Sequence, residues 1–249
     1  ALGVEREGEI VMGKIYVIGI GPGGAQETTP RAQAALAASD VLVGYTTYID
    51  LVKEHYPGKD TIATPMTTEV ARCRTCRDLA LKGRTVAMIC SGDAGVYGMA
   101  GLIHQVCEDA PKLEIEVIPG ITAATAGAAL LGAPLVHDFA VISLSDALTP
   151  WGTIAKRLEL AAEGDFVLCL YNPASKTRPD TLKKAADILL GYCGPDTPCG
   201  LARRVGREGE ECWLCTLEEL GEQPADMSTT VFVGNSQTQV IGGKLVTPR

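Results

Sequence analysis

Short aliphatic runs alternate with alanine-rich stretches along the chain, and this alternation predicts strands separated by helices. In the first half, the aliphatic runs predict strands over residues 15–19, 40–44, 85–90 and 114–120. Helical spacing predicts four helices in this half. The first begins near Thr28 or Thr29, the second covers residues 67–82, the third ends near Cys107 and the fourth ends near Leu131. Because continuous Val/Ile/Leu runs are typical of parallel strands covered on both faces, this half predicts a largely parallel sheet.

The pattern begins again after the sequence GAPLVHD and ends with strands that have no helices between them. It predicts strands over 139–144 and 165–170, helices over 153–163 and 180–191, and strands near 199–205, 212–216 and 230–234. The run of late strands predicts a mixed sheet. We therefore expect an α/β chain with an N-terminal extension over residues 1–12, an α/β domain over 13–125 and a second α/β domain with a mixed sheet over 126–249.

The composition favours an aliphatic core and argues against several classes of partner. Aromatic residues make up 5% of the 249 residues and hydrophobic residues 46%. The formal charge of −8 disfavours a nucleic-acid partner, because phosphate binding needs clustered cations. No apolar run reaches the ~18 residues that a membrane span needs. The first residues, ALGVEREGEIV, carry mixed charges unlike those of a secretory signal, so we expect a soluble cytoplasmic protein.

Nine cysteines include two Cys-x-x-Cys pairs, Cys73/Cys76 and Cys212/Cys215. The two pairs lie far beyond zinc-ribbon spacing. Cys73 and Cys76 share a helical stripe with apolar residues, which predicts buried thiols. The sequence ECWLCTL predicts a strand, on which residues three apart point to opposite faces and cannot bind one metal together. We therefore expect no metal site, and the odd number of scattered cysteines favours reduced thiols.

The sequence GKIYVIGIGPGG contains Gly19-x-Gly21-x-x-Gly24 directly after a predicted strand, the spacing of a dinucleotide-binding loop. Two further features of that motif do not fit. The helix is expected to begin several residues after the glycines, with Pro30 in its first turn, so its N-terminal amides cannot meet a pyrophosphate at the glycines. Asp40, the acidic residue at about the right distance, lies at the start of the second strand instead of its end. The glycine loop is therefore expected to serve another ligand.

Three loops at strand ends, GIGPGG, SGDAGVYG and PGIT, follow one another in an order that resembles the tetrapyrrole methylases. The resemblance extends from Gly13 along nearly the whole chain. It implies two unequal α/β domains with S-adenosylmethionine (SAM) bound in the cleft between them. Within the family, the segments GYTTYI, SGDAGVYGMAG and YNPASKTR resemble the branch that methylates carbon 17 of precorrin-3B with ring contraction to precorrin-4. Ala94, where other branches have proline, is typical of that branch.

The resemblance also implies which residues contact the cofactor and its product S-adenosylhomocysteine. Pro22 ends the first loop, Gly92, Asp93 and Val96 lie in the second, and Thr122 and Ala123 come after Pro119-Gly120 of the third. In the second domain, the matching positions are Tyr171, Asn172, Ala202 and Thr230. For Asp93, a turn-forming function is the alternative to a cofactor contact.

The tetrapyrrole implied by the resemblance carries many acetate and propionate groups. Arginine and lysine side chains bind such carboxylates, so the expected substrate contacts are Lys176, Arg178, Arg203 and Arg204, with Tyr97 as a further candidate. Ring contraction needs a proton acceptor. Tyr97, His104 and Lys176 are candidates for it, and the sequence does not choose among them, so no catalytic residue is assigned.

Several alternatives stay open at this point. The substrate is either metal-free precorrin-3B or its cobalt-bearing counterpart, since the motifs are shared by both. A non-catalytic protein that binds SAM or a tetrapyrrole has the same contacts. An NAD(P) dehydrogenase is disfavoured by Asp40 and by the delayed helix, and methylation of RNA is disfavoured by the negative charge. A homodimer is expected from the resemblance alone.

Overall fold

The computed structural model describes residues 12–249, so the predicted extension over 1–12 lies, except for Met12, outside the described residues. Contacts divide the chain into two compact units, one that ends at Thr122 and one that extends from Ala123 to Arg249. This division lies three residues before the predicted boundary at 125/126.

The first unit is built around a sheet of five parallel strands with the order β3-β2-β4-β1-β5. Its strands are β1 (Lys14–Gly19), β2 (Val41–Tyr45), β3 (Asp60–Thr64), β4 (Thr85–Cys90) and β5 (Glu114–Ile118). Its helices are α1 (Pro30–Ala38), α2 (Thr46–Val52), α3 (Glu69–Leu81) and α4 (Ala100–Val106). Because the strands are parallel, all five carboxyl ends lie at one edge of the sheet.

The strand β1 lies between β4 and β5 and is buried on both faces, as its apolar sequence predicts. Ile15 and Val17 belong to the apolar cluster that includes residues of α3 and α4, whereas Ile18 belongs to the cluster that includes residues of α1 and α2. The helix α1 begins where the sequence predicts it, because the Thr29 hydroxyl accepts from the N–H of Ala32 and Pro30 occupies the first helical position.

The second unit contains a five-stranded sheet with the order β10-β9-β11-β8-β7 and a small sheet with the order β12-β13-β6. Its helices are α5 (Ala123–Leu131), α6 (Trp151–Glu163), α7 (Thr181–Leu189) and α8 (Leu217–Leu220). The strands of the larger sheet are β7 (Phe139–Ser143), β8 (Val167–Tyr171), β9 (Pro198–Arg203), β10 (Glu211–Thr216) and β11 (Thr229–Val233). Those of the smaller sheet are β6 (Gly132–Ala133), β12 (Gln239–Ile241) and β13 (Lys244–Val246).

Only β7 and β8 are parallel in the larger sheet, and its other pairs are antiparallel. The prediction of an α/β fold with a parallel first sheet and a mixed second sheet is therefore confirmed. The sequence pattern missed α2, β3, α8 and the small sheet. Along residues 12–249, none of the helices combines the length and apolar character that crossing a bilayer demands.

Candidate functional site

Three loops meet at the carboxyl edge of the first sheet, because the strands that precede them, β4, β1 and β5, are neighbours. The loops after β1 and β4 are joined by a two-residue bridge. The N–H of Gly21 donates to the carbonyl of Gly92 at 3.0 Å, and the N–H of Gly92 donates to the carbonyl of Gly21 at 2.8 Å. The first two loops of the predicted site are thus held together by their backbones.

Two glycines allow the third loop to approach the other two. A Cβ atom on Gly120 would lie 2.2 Å from the Gly92 oxygen and 2.6 Å from the Gly19 carbonyl carbon. A Cβ atom on Gly19 would lie 2.6 Å from the same Gly92 oxygen. No side chain fits at either position without displacing backbone, so the three loops form a shelf of bare backbone, termed here the glycine shelf (residues 19–24, 91–98 and 119–122).

Asp93 links two of the three loops through its carboxylate. Its Oδ1 atom accepts from the N–H groups of Gly95 and Val96, at 2.7 Å and 3.0 Å. Its Oδ2 atom accepts from the N–H of Gly120 at 3.0 Å, across 27 residues of sequence. Asp93 is therefore a turn-forming residue that also fixes the third loop, and any contact with a ligand is additional to this function.

Three residues of the glycine shelf carry exposed apolar side chains. Val96, Tyr97 and Ile121 are all exposed, and Tyr97 has a backbone φ of +51°. Pro22 is buried, and Thr122 is half-buried at the end of the third loop. Backbone groups with apolar side chains around them suit a ligand that combines polar groups with an apolar body.

In the second unit, Tyr171 and Asn172 follow β8 as predicted, and each is fixed by a neighbour. The Tyr171 hydroxyl accepts from the N–H of Ala124 at 2.7 Å, next to Ala123 at the start of α5. Asn172 has a φ of +55°, and its Nδ2 donates to Ser143 Oγ at 2.9 Å. Ser143 ends β7, the parallel neighbour of β8, so the sheet brings these loops together.

Arg178 lies in the same loop as Asn172 and carries a buried donor without a partner. Its Nε lies 3.6 Å from Asp146 Oδ1, while among the described residues its buried Nη1 has no hydrogen-bond acceptor. Because buried donors in folded proteins usually have a partner, this nitrogen is a candidate to bind a group that the protein itself does not supply. The sequence analysis missed Ser143 and Asp146. Ser143 ends β7 and Asp146 follows it closely, and this position at the end of the strand parallel to β8 is the signal that would have found them.

The side chains of the other predicted contact residues are buried in the sheet, ion-paired or exposed. Ala202 and Thr230 are register partners on β9 and β11, and both are buried within the sheet. Arg203 is paired with Glu211 and lies over the Trp213 ring, so its charge is already compensated. Lys176 and Arg204 are exposed.

Over residues 12–249, the structure singles out neither a general base nor a dinucleotide site, and the thiols of the first Cys-x-x-Cys pair are buried. His104 is exposed on the last turn of α4, away from the amino end of that helix. The helix α1 begins six residues after Gly24, and Asp40 precedes β2, so both objections to a dinucleotide loop hold. Cys73 and Cys76 are buried on α3 as predicted. Burial raises the pKa of the Cys73 thiol to about 12 and also raises the pKa of Cys76.

Comparison with known proteins gives one consistent result. The family model of tetrapyrrole (corrin/porphyrin) methylases matches residues 14–221. A probable cobalt-factor III C(17)-methyltransferase of Salmonella typhimurium is 48% identical over 94% of this chain and 98% of its own length. A precorrin-3B C(17)-methyltransferase of a Sinorhizobium species is 38% identical over 92% of this chain and 91% of its own length.

A solved structure extends the comparison to three dimensions. The crystal structure of the methyltransferase CobJ is 38% identical and covers 95% of this chain and 100% of its own, with a TM-score of 0.90. Some other curated relatives are longer proteins, of which this chain spans 45% and 52%. The similarity thus includes both units and all the loops described above.

Proposed function

The chain belongs to the tetrapyrrole (corrin/porphyrin) methylase family, and on this premise we propose the function of its loops. It is a SAM-dependent C-methyltransferase of cobalamin biosynthesis that methylates carbon 17 of a tetrapyrrole. The observation that carries the proposal is the glycine shelf, in which the three loops of the resemblance are joined by the Gly21–Gly92 bridge and by Asp93.

The reaction requires positioning more than acid–base chemistry. When bound, SAM would supply an electrophilic methyl group, which would pass to an electron pair of the substrate carbon while the electrons of the broken C–S bond stayed on sulfur. The protein therefore has to hold the two reactants at near-attack distance, ~3–3.5 Å. Rigid loops that are fixed to one another, such as those of the glycine shelf, are suited to that task.

In the first unit, Pro22, Gly92, Asp93, Val96 and Thr122 are proposed to contact SAM, chiefly through backbone groups. Two features support this. The close approach of Gly19, Gly92 and Gly120 allows a ligand to come near the backbone, and the Asp93 carboxylate fixes two of the loops by accepting from the N–H groups of the second and third loops. Tyr97, exposed at the same edge, is proposed to contact the tetrapyrrole.

In the second unit, Ala123, Tyr171 and Asn172 are the proposed SAM contacts. Ala202 and Thr230 are proposed to contact SAM through backbone groups only, because their side chains are buried. Arg178 is the substrate contact with the firmest support, since its buried Nη1 lacks an acceptor among the described residues and a substrate carboxylate would provide one. Arg203 is a weaker candidate than Arg178, because Glu211 already neutralises it.

The metal content of the substrate is part of the proposal. Of the two relatives, the one with the higher identity is named for a cobalt-bearing substrate and the other for a metal-free one. We propose the cobalt-bearing form as the preferred substrate, with precorrin-3B as the second candidate. We also propose a homodimer, as expected from the resemblance, and a location in the cytoplasm, as expected from the sequence.

The first experiment is calorimetric titration of the protein with S-adenosylhomocysteine, with NADH titrated in parallel. We expect saturable binding of S-adenosylhomocysteine alone. Anaerobic single-turnover reactions with precorrin-3B and with its cobalt form would then be followed by mass spectrometry for methyl gain. Binding without methylation of either compound would favour a non-catalytic binding protein, and binding of NADH instead would overturn the proposal.

A further inference from the structure

The first turn of α3 carries an arginine, Arg72, whose side chain is 5% exposed. Its Nε donates to Thr64 Oγ1 at 2.6 Å, and its Nη2 donates to the carbonyl of Pro65 at 2.8 Å. Neither acceptor is charged. Among residues 12–249, the ion pairs of nearby arginines involve Arg77 and Arg84, and none includes Arg72. A buried cation is thus held by neutral groups.

A buried guanidinium with only uncharged acceptors contributes little to the stability of the fold. Taking a charge out of water without an opposite charge beside it disfavours the folded state. An apolar residue of similar volume stabilises an interior as well as a buried ionic group or better. Stability alone therefore gives no reason for arginine here, and the reason is to be sought in the segment that Arg72 holds.

That segment is the turn after β3, termed here the Met66 turn (residues 64–68). The Pro65 carbonyl accepts from Thr68 Oγ1 at 2.8 Å as well as from Arg72. The Thr64 carbonyl accepts from Thr46 Oγ1 at 3.3 Å, which links the turn to the segment after β2. Thr67 has a φ of +66°, a conformation that a β-branched residue rarely adopts. The turn is thus fixed from several sides in a strained conformation.

The Met66 turn lies at the same sheet edge as the glycine shelf, because β3 and β4 are parallel members of one sheet with only β2 between them. Two strand spacings of about 4.8 Å separate their ends. Met66 is 42% exposed, and Val96 and Tyr97 of the loop after β4 are exposed as well. A strained, braced turn therefore presents a large apolar side chain at the edge proposed to bind substrate.

We propose that Arg72 is a positioning residue for the methyl acceptor: it holds the Met66 turn so that the Met66 side chain contacts the apolar face of the tetrapyrrole. The inference rests on the proposed function and adds a fourth segment to its site. A thioether chain suits this contact, because it adapts to an irregular apolar surface and interacts favourably with conjugated rings. Arginine suits the bracing function, because its planar fork fixes two acceptors at once, which lysine does not do.

The test compares Met66→Ala, Arg72→Gln and Arg72→Lys with the control Arg74→Gln, which removes an exposed arginine from the same helix. Met66→Ala is expected to raise the KM for the tetrapyrrole about tenfold, with kcat within about twofold of the wild type. Arg72→Gln is expected to lower kcat/KM for the tetrapyrrole by about 10- to 100-fold, and Arg72→Lys is expected to restore little of it. S-adenosylhomocysteine binding should be unchanged in all four variants.

Hydrogen exchange measured without substrate separates this inference from the proposed function. We expect faster exchange in a peptide spanning residues 64–70 of Arg72→Gln, and wild-type exchange in Arg74→Gln. Unchanged exchange in Arg72→Gln would overturn the positioning function, whatever the wild type methylates. Wild-type KM and kcat in Met66→Ala would overturn the substrate contact. A wild-type protein that methylates neither tetrapyrrole would instead refute the proposed function, and the substrate contact with it.

Discussion

Asp93 shows how much of the glycine shelf depends on one side chain. Its two carboxylate oxygens accept from three backbone N–H groups on two loops. The sequence predicts a turn-forming aspartate here, because aspartate commonly accepts from N–H groups a few residues ahead. It does not predict the bond to Gly120, since nothing in a local pattern identifies a partner 27 residues away. That long-range bond appears only when the sheet places β4 and β5 on either side of β1.

Asp93→Asn is expected to separate the loops while leaving the fold intact. Asparagine has one acceptor oxygen and an NH₂ group that cannot accept, so at least one N–H group loses its partner, a loss of about 1–3 kcal/mol. We expect S-adenosylhomocysteine affinity to fall at least about tenfold by calorimetry. Asp187→Asn, at an exposed position on α7, is the matched control and should bind like the wild type. Equal affinity in the two variants would show that the Gly120 bond does not shape the site.

At the scale of elements, the sequence identifies buried strands better than exposed ones. The strands β1, β4 and β8 are continuous apolar runs, and all were predicted. The strand β3 was missed because DTIAT contains one large apolar residue, Ile62, and most of the strand is exposed. The strands β12 and β13 have three residues each, too few for a period-2 pattern to be recognised. The missed strand β3 matters for function, since the Met66 turn follows it.

The packing of α5 on the second sheet depends on a glycine. A Cβ atom on Gly127 would lie 3.0 Å from two ring atoms of Phe232 and 3.2 Å from the Cβ of Ala202. Phe232 is fully buried and cannot move aside easily. We expect Gly127→Ala to lower the free energy of unfolding by about 1–3 kcal/mol, measured by urea denaturation.

A second helical glycine provides the matched control. A Cβ atom added to Gly152, in the first turn of α6, would meet no atom of the described residues within 4 Å, so Gly152→Ala adds a methyl group without a clash. Its free energy of unfolding should stay the same or rise by up to about 1 kcal/mol. If both variants were equally stable, close packing between α5 and β11 would not limit the stability of this unit.

At the scale of the whole molecule, buried thiols link both units to the pH of the solution. Burial raises the pKa of Cys73 to about 12, of Cys90 to about 11 and of Cys169 to about 12. Thiols of the unfolded chain ionise near about 8.5. The folded state therefore holds protons that the unfolded state releases. The stability from this source is complete below about pH 8.5 and is lost as the pH rises toward the folded pKa values.

We expect the free energy of unfolding to fall between pH 9 and 11 by about 1.4 kcal/mol per pH unit for each such thiol. Urea denaturation at several pH values in reducing buffer measures this slope. Cys169→Ala should reduce the fall in the free energy of unfolding per pH unit by the contribution of one thiol, whatever its effect on the free energy of unfolding at a single pH. Cys212→Ala, which removes an exposed thiol, should leave the slope unchanged. Identical slopes for wild type and Cys169→Ala would refute the prediction.

The position of β1 between β4 and β5 has a consequence for the order in which the protein is made. Lys14 of β1 is aligned with Thr85 of β4 and with Glu114 of β5, so neither neighbour exists when β1 leaves the ribosome. At about 5–20 residues per second, translation separates the appearance of β1 from that of β5 by several seconds or more. During that interval an aliphatic strand has no partner in its own chain. The sheet of the first unit can therefore be completed only after residue 118 has been synthesised.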